Sequence, residues 1–226
     1  MAADRIFAVL TGDIVDSSAL QESQSGPPSL ILEGVGQRIQ ARYQHAVQNP
    51  IDVFRGDSWQ LVVSQPARAM RIALLFRTLL RAEYGIDSRV SIAFGEIDFL
   101  PQENISTGTG QAFSLSGQGL EVNLKSARMT LIVPSLVGSL EGQGLEIITQ
   151  LIDLEVGRWT PSQARAVAGA LLDQTQIEIA ADWQPEPVSQ QAISQHLENA
   201  AWGLIKNALS YLEEVLEELY PPGKGL

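Results

Sequence analysis

Apolar positions follow two alternating periods along the N-terminal part of the chain. Residues 5–12, RIFAVLTG, form an apolar run of strand length ending on Gly12. Over 29–47 the spacing becomes helical, and Leu30, Leu32, Val35, Ile39 and Tyr43 are predicted to share one face. IDVFRGDSWQLVV (51–63) reads as two strands joined at Gly56-Asp57, residues that favour tight hairpins. A second helix is predicted over 66–85, opened by Pro66 and closed by Gly85. Strand character returns at 87–100, and a polar loop, PQENISTGTG, fills 101–110. Helical spacing over much of 111–129 then leads into the short strand TLIVP at 130–134. The order βαββαβ predicts an α+β, ferredoxin-like domain, an antiparallel sheet with helices on one face.

From Leu136 the strand signal stops, dividing the chain into a sheet domain (1–135) and an all-α region (136–226). A connecting helix is predicted over 137–155, followed by helical segments at 160–174 and 175–183, a break at QPEP, and helical spacing over 188–219. Two short helices, a turn and a third helix starting at Val188-Ser189 have the order of a helix-turn-helix. Within 202–219, Leu204, Ile205, Leu209, Leu212, Val215, Leu216 and Leu219 gather on one side and acidic residues on the other. This is a packing helix, expected to reach across the interface of a homodimer. Its acidic face excludes a basic membrane-surface helix.

Composition narrows the function classes. The chain has 226 residues, 45% of them hydrophobic, and no cysteine, so disulfides and cysteine-based zinc sites are excluded. No run approaches the roughly 18 apolar residues of a membrane span, and Asp4 and Arg5 stand where a signal peptide would be apolar, so a cytoplasmic protein is expected. The net charge of −11 argues against general affinity for nucleic acid or anionic membranes and is compatible with cations, or with anions bridged by a metal.

The first strand ends on Gly12-Asp13, with Asp16 shortly beyond as a further acid for the metal site or the N-cap of a short turn, and Asp57 sits in the hairpin turn. A ferredoxin-like sheet makes its first and third strands central neighbours, so Asp13 and Asp57 can approach and chelate a hard cation such as Mg²⁺. Residues 14–18, Ser17 and Ser18 included, could offer backbone N–H groups to a polyphosphate. Glu96 is expected to serve the fold, Trp59 the core, and His45 and His196 have no ligand spacing.

These residues resemble the catalytic domain of class III nucleotidyl cyclases over about two-thirds of the chain. GDIVDSS matches the family's first metal-binding Asp, RGDSWQLV its second, VSIAFGEI its Gly-Glu strand and TGTGQAFSLSGQGL its Asn/Arg helix. More narrowly, the GDIVDS opening and the appended helix-turn-helix resemble the SatD-like bacterial proteins. The resemblance implies Asp13 and Asp57 as metal ligands with the Ile14 carbonyl as a third, and a homodimer. The chain departs from the family elsewhere. Ser114 stands where the transition-state Asn would be, Gln118 for the Arg, Val53 for the base-selecting Lys, and Thr107 near the polar partner of the base. Gln118 cannot supply the charge of an Arg on a transferring phosphate. Either the site only binds, which is the reading favoured here, or Arg55, Lys125 or Arg128 substitutes.

The expected function is therefore regulatory: a Mg²⁺-dependent site for a nucleotide or other phosphate-containing small molecule, coupled to the helix-turn-helix, with no catalytic residue assigned. The alternatives are an active cyclase or phosphohydrolase, and a DNA-binding regulator with a vestigial dimerisation domain. Charge disfavours DNA. From Gly157 onward four basic residues face nine acidic ones. The third helix offers Ser189, Gln190, Gln191, Gln195, His196 and Asn199, which can read base edges but neutralise no phosphate.

Overall fold

A computed structural model describes residues 5–15, 27–122 and 127–221. Five strands form one sheet: β1 (Phe7–Ile14), β2 (Asp52–Phe54), β3 (Ser58–Val63), β4 (Ser88–Gly95) and β5 (Met129–Ile132), in the order β2-β3-β1-β4-β5. β1 is antiparallel to β3 and to β4, which is the βαββαβ order predicted, and β5 is added parallel to β4. A parallel pair needs a crossover, and α3 (Gln111–Val122) supplies it. The fold is α+β with a mixed sheet rather than a purely antiparallel one.

Side-chain alternation along β1 sorts the two faces. Ala8, Leu10 and Ile14 join the large core together with α1 (Pro28–Arg42) and α2 (Ala69–Tyr84). Val9 points the other way and packs with Val62, Ile105, Ala112 and Phe113, so α3 covers the second face. Helices thus lie on both faces, where one was expected. The phase of α1 also differs from expectation: Ile31, Leu32, Val35 and Ile39 are buried, but Leu30 is exposed and Tyr43 lies at the C-cap.

α2 is apolar around much of its circumference, with Ile72, Leu74, Leu75, Phe76, Leu79 and Leu80 all buried. Such a helix needs cover on both sides. The sheet provides one side, and α5 (Pro161–Leu171) packs against the helix from the C-terminal part of the chain. α4 (Leu140–Arg158), α6 (Gln176–Ala181), α7 (Gln190–Asn199) and α8 (Trp202–Leu219) complete the helical region. Ser139, Thr160, Thr175 and Ser189 cap α4, α5, α6 and α7 with their side-chain oxygens. The run 188–219 is two helices, divided where Ala201 takes the left-handed conformation at φ 52°.

One apolar cluster runs from Leu10 in the sheet to Leu216 in α8, across the boundary drawn at 135. Ile205, Leu209, Leu212, Val215 and Leu216 are buried within this chain, so the stripe expected to meet a second copy covers the protein's own core instead. Leu204, assigned to that stripe, points outward and is 70% exposed. Among the described residues no helix is long and apolar enough to cross a membrane.

Candidate functional site

The strand register decides what stands at the end of β1. Asp13 lies opposite Ser58 on β3 and opposite Arg89 on β4. The turn carrying Asp57 immediately precedes Ser58, and the Ile14 N–H donates to the Asp57 carbonyl at 3.2 Å. Asp13, Ile14 and Asp57 therefore gather at one end of the sheet. The turn itself is made by Arg55 and Gly56, both at positive φ, which leaves Arg55 exposed at its tip.

Gly12 is required by what crosses it. A Cβ there would meet the Trp59 indole at 2.6 Å and the Arg89 carbonyl oxygen. Trp59 is fully buried and stacks on Phe76 with centroids 4.0 Å apart. Its Nε1–H donates to Ser88 Oγ at 2.9 Å, and that hydroxyl lies 2.7 Å from the Asp13 carbonyl oxygen, to which it donates. The Gly-Asp pair thus belongs to a packed corner, which fixes the backbone that presents the Asp13 carboxylate.

That carboxylate already has a cation. Arg89 Nε donates to Asp13 Oδ1 at 2.7 Å, and Nη2 donates to Oδ2, a two-pronged contact. The bond to Asp13 raises the Arg89 pKa most, partial burial opposes it, and the charges of Asp13 and Asp57 add to the rise. Sequence reasoning missed Arg89 because its partnership depends on cross-strand register. The signal available was a basic residue at the start of an apolar strand, the end that lies beside Asp13.

The remaining expected residues are distributed differently. Asp16, Ser17, Ser18 and Lys125 lie outside the described residues. Arg128 stands at the start of β5, at the same end of the sheet, but its Nη1 donates to Asp87 Oδ2 at 2.9 Å. Ser114 and Gln118 are both exposed on α3, one turn apart, while the buried Ser116 between them pairs with Thr11 at 2.8 Å. Val53 lies on the edge strand opposite Trp59, and Thr107 donates to the Asn104 carbonyl. His196 stacks on Trp183, and the polar residues Gln190, Gln191, Gln195 and Asn199 are exposed on α7.

Asp87, just before β4, anchors a second and more deeply buried charge cluster. It accepts from Arg77 Nε and Nη2 at 2.9 Å each, from Arg81 at 3.0 Å and from Arg128. Arg77 has no exposed surface, and its Nη1 reaches Asp153 on α4 at 2.6 Å. Burial alone would push the Asp87 carboxyl up, but the bonds and charges of Arg77, Arg128 and Arg81 hold it below its usual range. This cluster ties the sheet end to the helical region and is structural.

The strand register brings Asp13 and Asp57 to neighbouring positions, and the charges of both act on Arg89. Among the described residues no group of three or more His, Cys, Asp or Glu side chains is arranged to hold a metal ion. Carboxylates suit a hard ion that keeps open positions for ligand oxygens, and such an ion would have to displace Arg89 from Asp13. The Arg89 side chain is 39% exposed.

No family model matches the chain, and no curated protein matches it in sequence. Among solved structures, the crystal structure of the guanylyl cyclase Cya2 matches 52% of this chain and 70% of its own, at 16% identity and a TM-score of 0.34. That likeness is distant, and the site rests on the placement of this chain's own residues.

Proposed function

We propose that this protein is a non-catalytic, Mg²⁺-dependent sensor of a nucleotide or other phosphate-bearing small molecule, built on a cyclase-like sheet domain. The observation that carries this reading is the meeting of Asp13 and Asp57 at one sheet end, joined through the Ile14-to-Asp57 hydrogen bond. Asp13 and Asp57 would hold the ion, and Arg89, freed from Asp13, would be placed to meet the ligand's phosphate. The ion supplies positive charge that attracts phosphate oxygens. Turnover is not expected, because Ser114 and Gln118 carry no charge with which to stabilise a transferring phosphate. The helix-turn-helix region carries the output. Its charge of four bases against nine acids from Gly157 onward favours a protein partner over DNA phosphates.

The test is a panel of nucleotides in a thermal-shift assay, with and without Mg²⁺. A ligand at 100 times its Kd should add about 2.7 kcal/mol to stability. The rise should need Mg²⁺, vanish in Asp13→Asn/Asp57→Asn, and occur at lower Mg²⁺ in Arg89→Gln, where no guanidinium competes for Asp13. Cyclic nucleotide formation should stay at background throughout. Robust turnover abolished by Asp57→Asn would establish the enzyme reading instead.

A further inference from the structure

A cleft of about 450 Å³ opens at the opposite end of the sheet from Asp13 and Asp57. Its position follows from chain direction: β3 runs away from Asp57, and the segment after it, with Arg68, lines the cleft just before α2 begins. Arg42 at the end of α1, Arg71 in α2, Asp173 after α5 and Lys206 in α8 complete its charged lining. Four of the chain's 15 Lys and Arg residues thus converge on one concavity in a protein of net charge −11.

The acids there do not balance them. Glu213 accepts from Arg71 at 2.6 and 2.9 Å in a two-pronged contact and from Arg68 at 3.4 Å, and Asp173 pairs with Arg42. Glu213 is buried behind Arg71, so its charge is already committed. Lys206 is exposed and has no ion-pair partner among the described residues. Glu217 lines a neighbouring groove that shares Arg68, and is absent from the lining of the cleft. Four cations and two acids around a concave wall leave a focused positive potential, which attracts an anion. Guanidinium groups match phosphate oxygens in geometry, and an ammonium adds a point charge.

We propose that this cleft is a second binding site, which takes a phosphate-bearing small molecule between Arg68 and Lys206 with Arg71 behind it. Because its walls come from α1, α2 and α8, an occupant bridges the sheet unit and the C-terminal helices. The site does not depend on a metal at Asp13 and Asp57.

Inorganic pyrophosphate in EDTA-containing, low-salt buffer is the probe, followed by calorimetry and by thermal shift. Wild type and Asp57→Asn should bind it alike. Arg68→Gln/Lys206→Gln, with exposed side chains and an unchanged circular dichroism spectrum, should bind on the order of tenfold more weakly or worse. Four results would overturn the proposal. These are no binding by wild type at millimolar pyrophosphate, equal binding by the double variant, stabilisation matched by sodium chloride of equal ionic strength, or loss of binding in Asp57→Asn alone.

Discussion

Arg77 is a sharp point at which to perturb the fold. Its guanidinium is fully buried and joins α2 to Asp87 at the start of β4 and to Asp153 on α4. Removing one member of a buried ion pair costs about 3–5 kcal/mol, because the remaining charge is stranded. In Arg77→Ala, Asp87 keeps Arg81 and Arg128, which lowers the cost. Among the described residues Asp153 then keeps only the Arg128 backbone N–H. The sum points to about 3–4 kcal/mol, or a fall in Tm of roughly 6–16 °C for a chain of this length. Adding Asp153→Asn should recover part of the loss, since the stranded charge is gone. Denaturation followed by circular dichroism and tryptophan fluorescence is the assay, because Trp59 reports on the sheet and Trp159, Trp183 and Trp202 on the helical region. The two signals should shift together. A Tm within about 2 °C of wild type, or early loss of the helical signal alone, would refute the idea that this cluster couples the two parts.

Asp87 also sets an acid limit. Its carboxyl is held below the usual value of 3.8, so its contribution is complete above that value and is lost as pH falls through the depressed one. Melting curves taken downward from about pH 6 should show a steep acid limb that flattens in Asp87→Asn. Gly12→Ala should destabilise by about 1–3 kcal/mol through overpacking against Trp59, read as a lower Tm with altered tryptophan fluorescence.

Local signals in the sequence foretold most of the elements and their order. The hairpin around Gly56, the Gly85 cap that ends α2 and the apolar strands each carry their own chemistry, and the βαββαβ order then brings Asp13 near Asp57. What remained hidden depends on contacts remote in sequence. Leu30 shares the helical period of the buried residues yet is exposed, because a helical face can be rotated without changing its period. The α8 stripe, Leu204 apart, is apolar as its spacing predicts, but it packs on the protein's own core. The surrounded character of α2 was the clue, since a helix apolar around most of its circumference demands cover beyond the sheet. Arg89 and the Arg77 cluster escaped because only register and tertiary packing pair them with Asp13, Asp87 and Asp153.

The most direct measurement of the Asp13–Asp57 site is anomalous diffraction from crystals grown with Mn²⁺ and a non-hydrolysable nucleoside triphosphate. The expected result is an anomalous peak in contact with carboxylate oxygens of both Asp13 and Asp57, with Arg89 withdrawn from at least one Asp13 oxygen. An intact Arg89–Asp13 contact with no peak there, at Mn²⁺ concentrations that saturate ordinary triphosphate complexes, would contradict it.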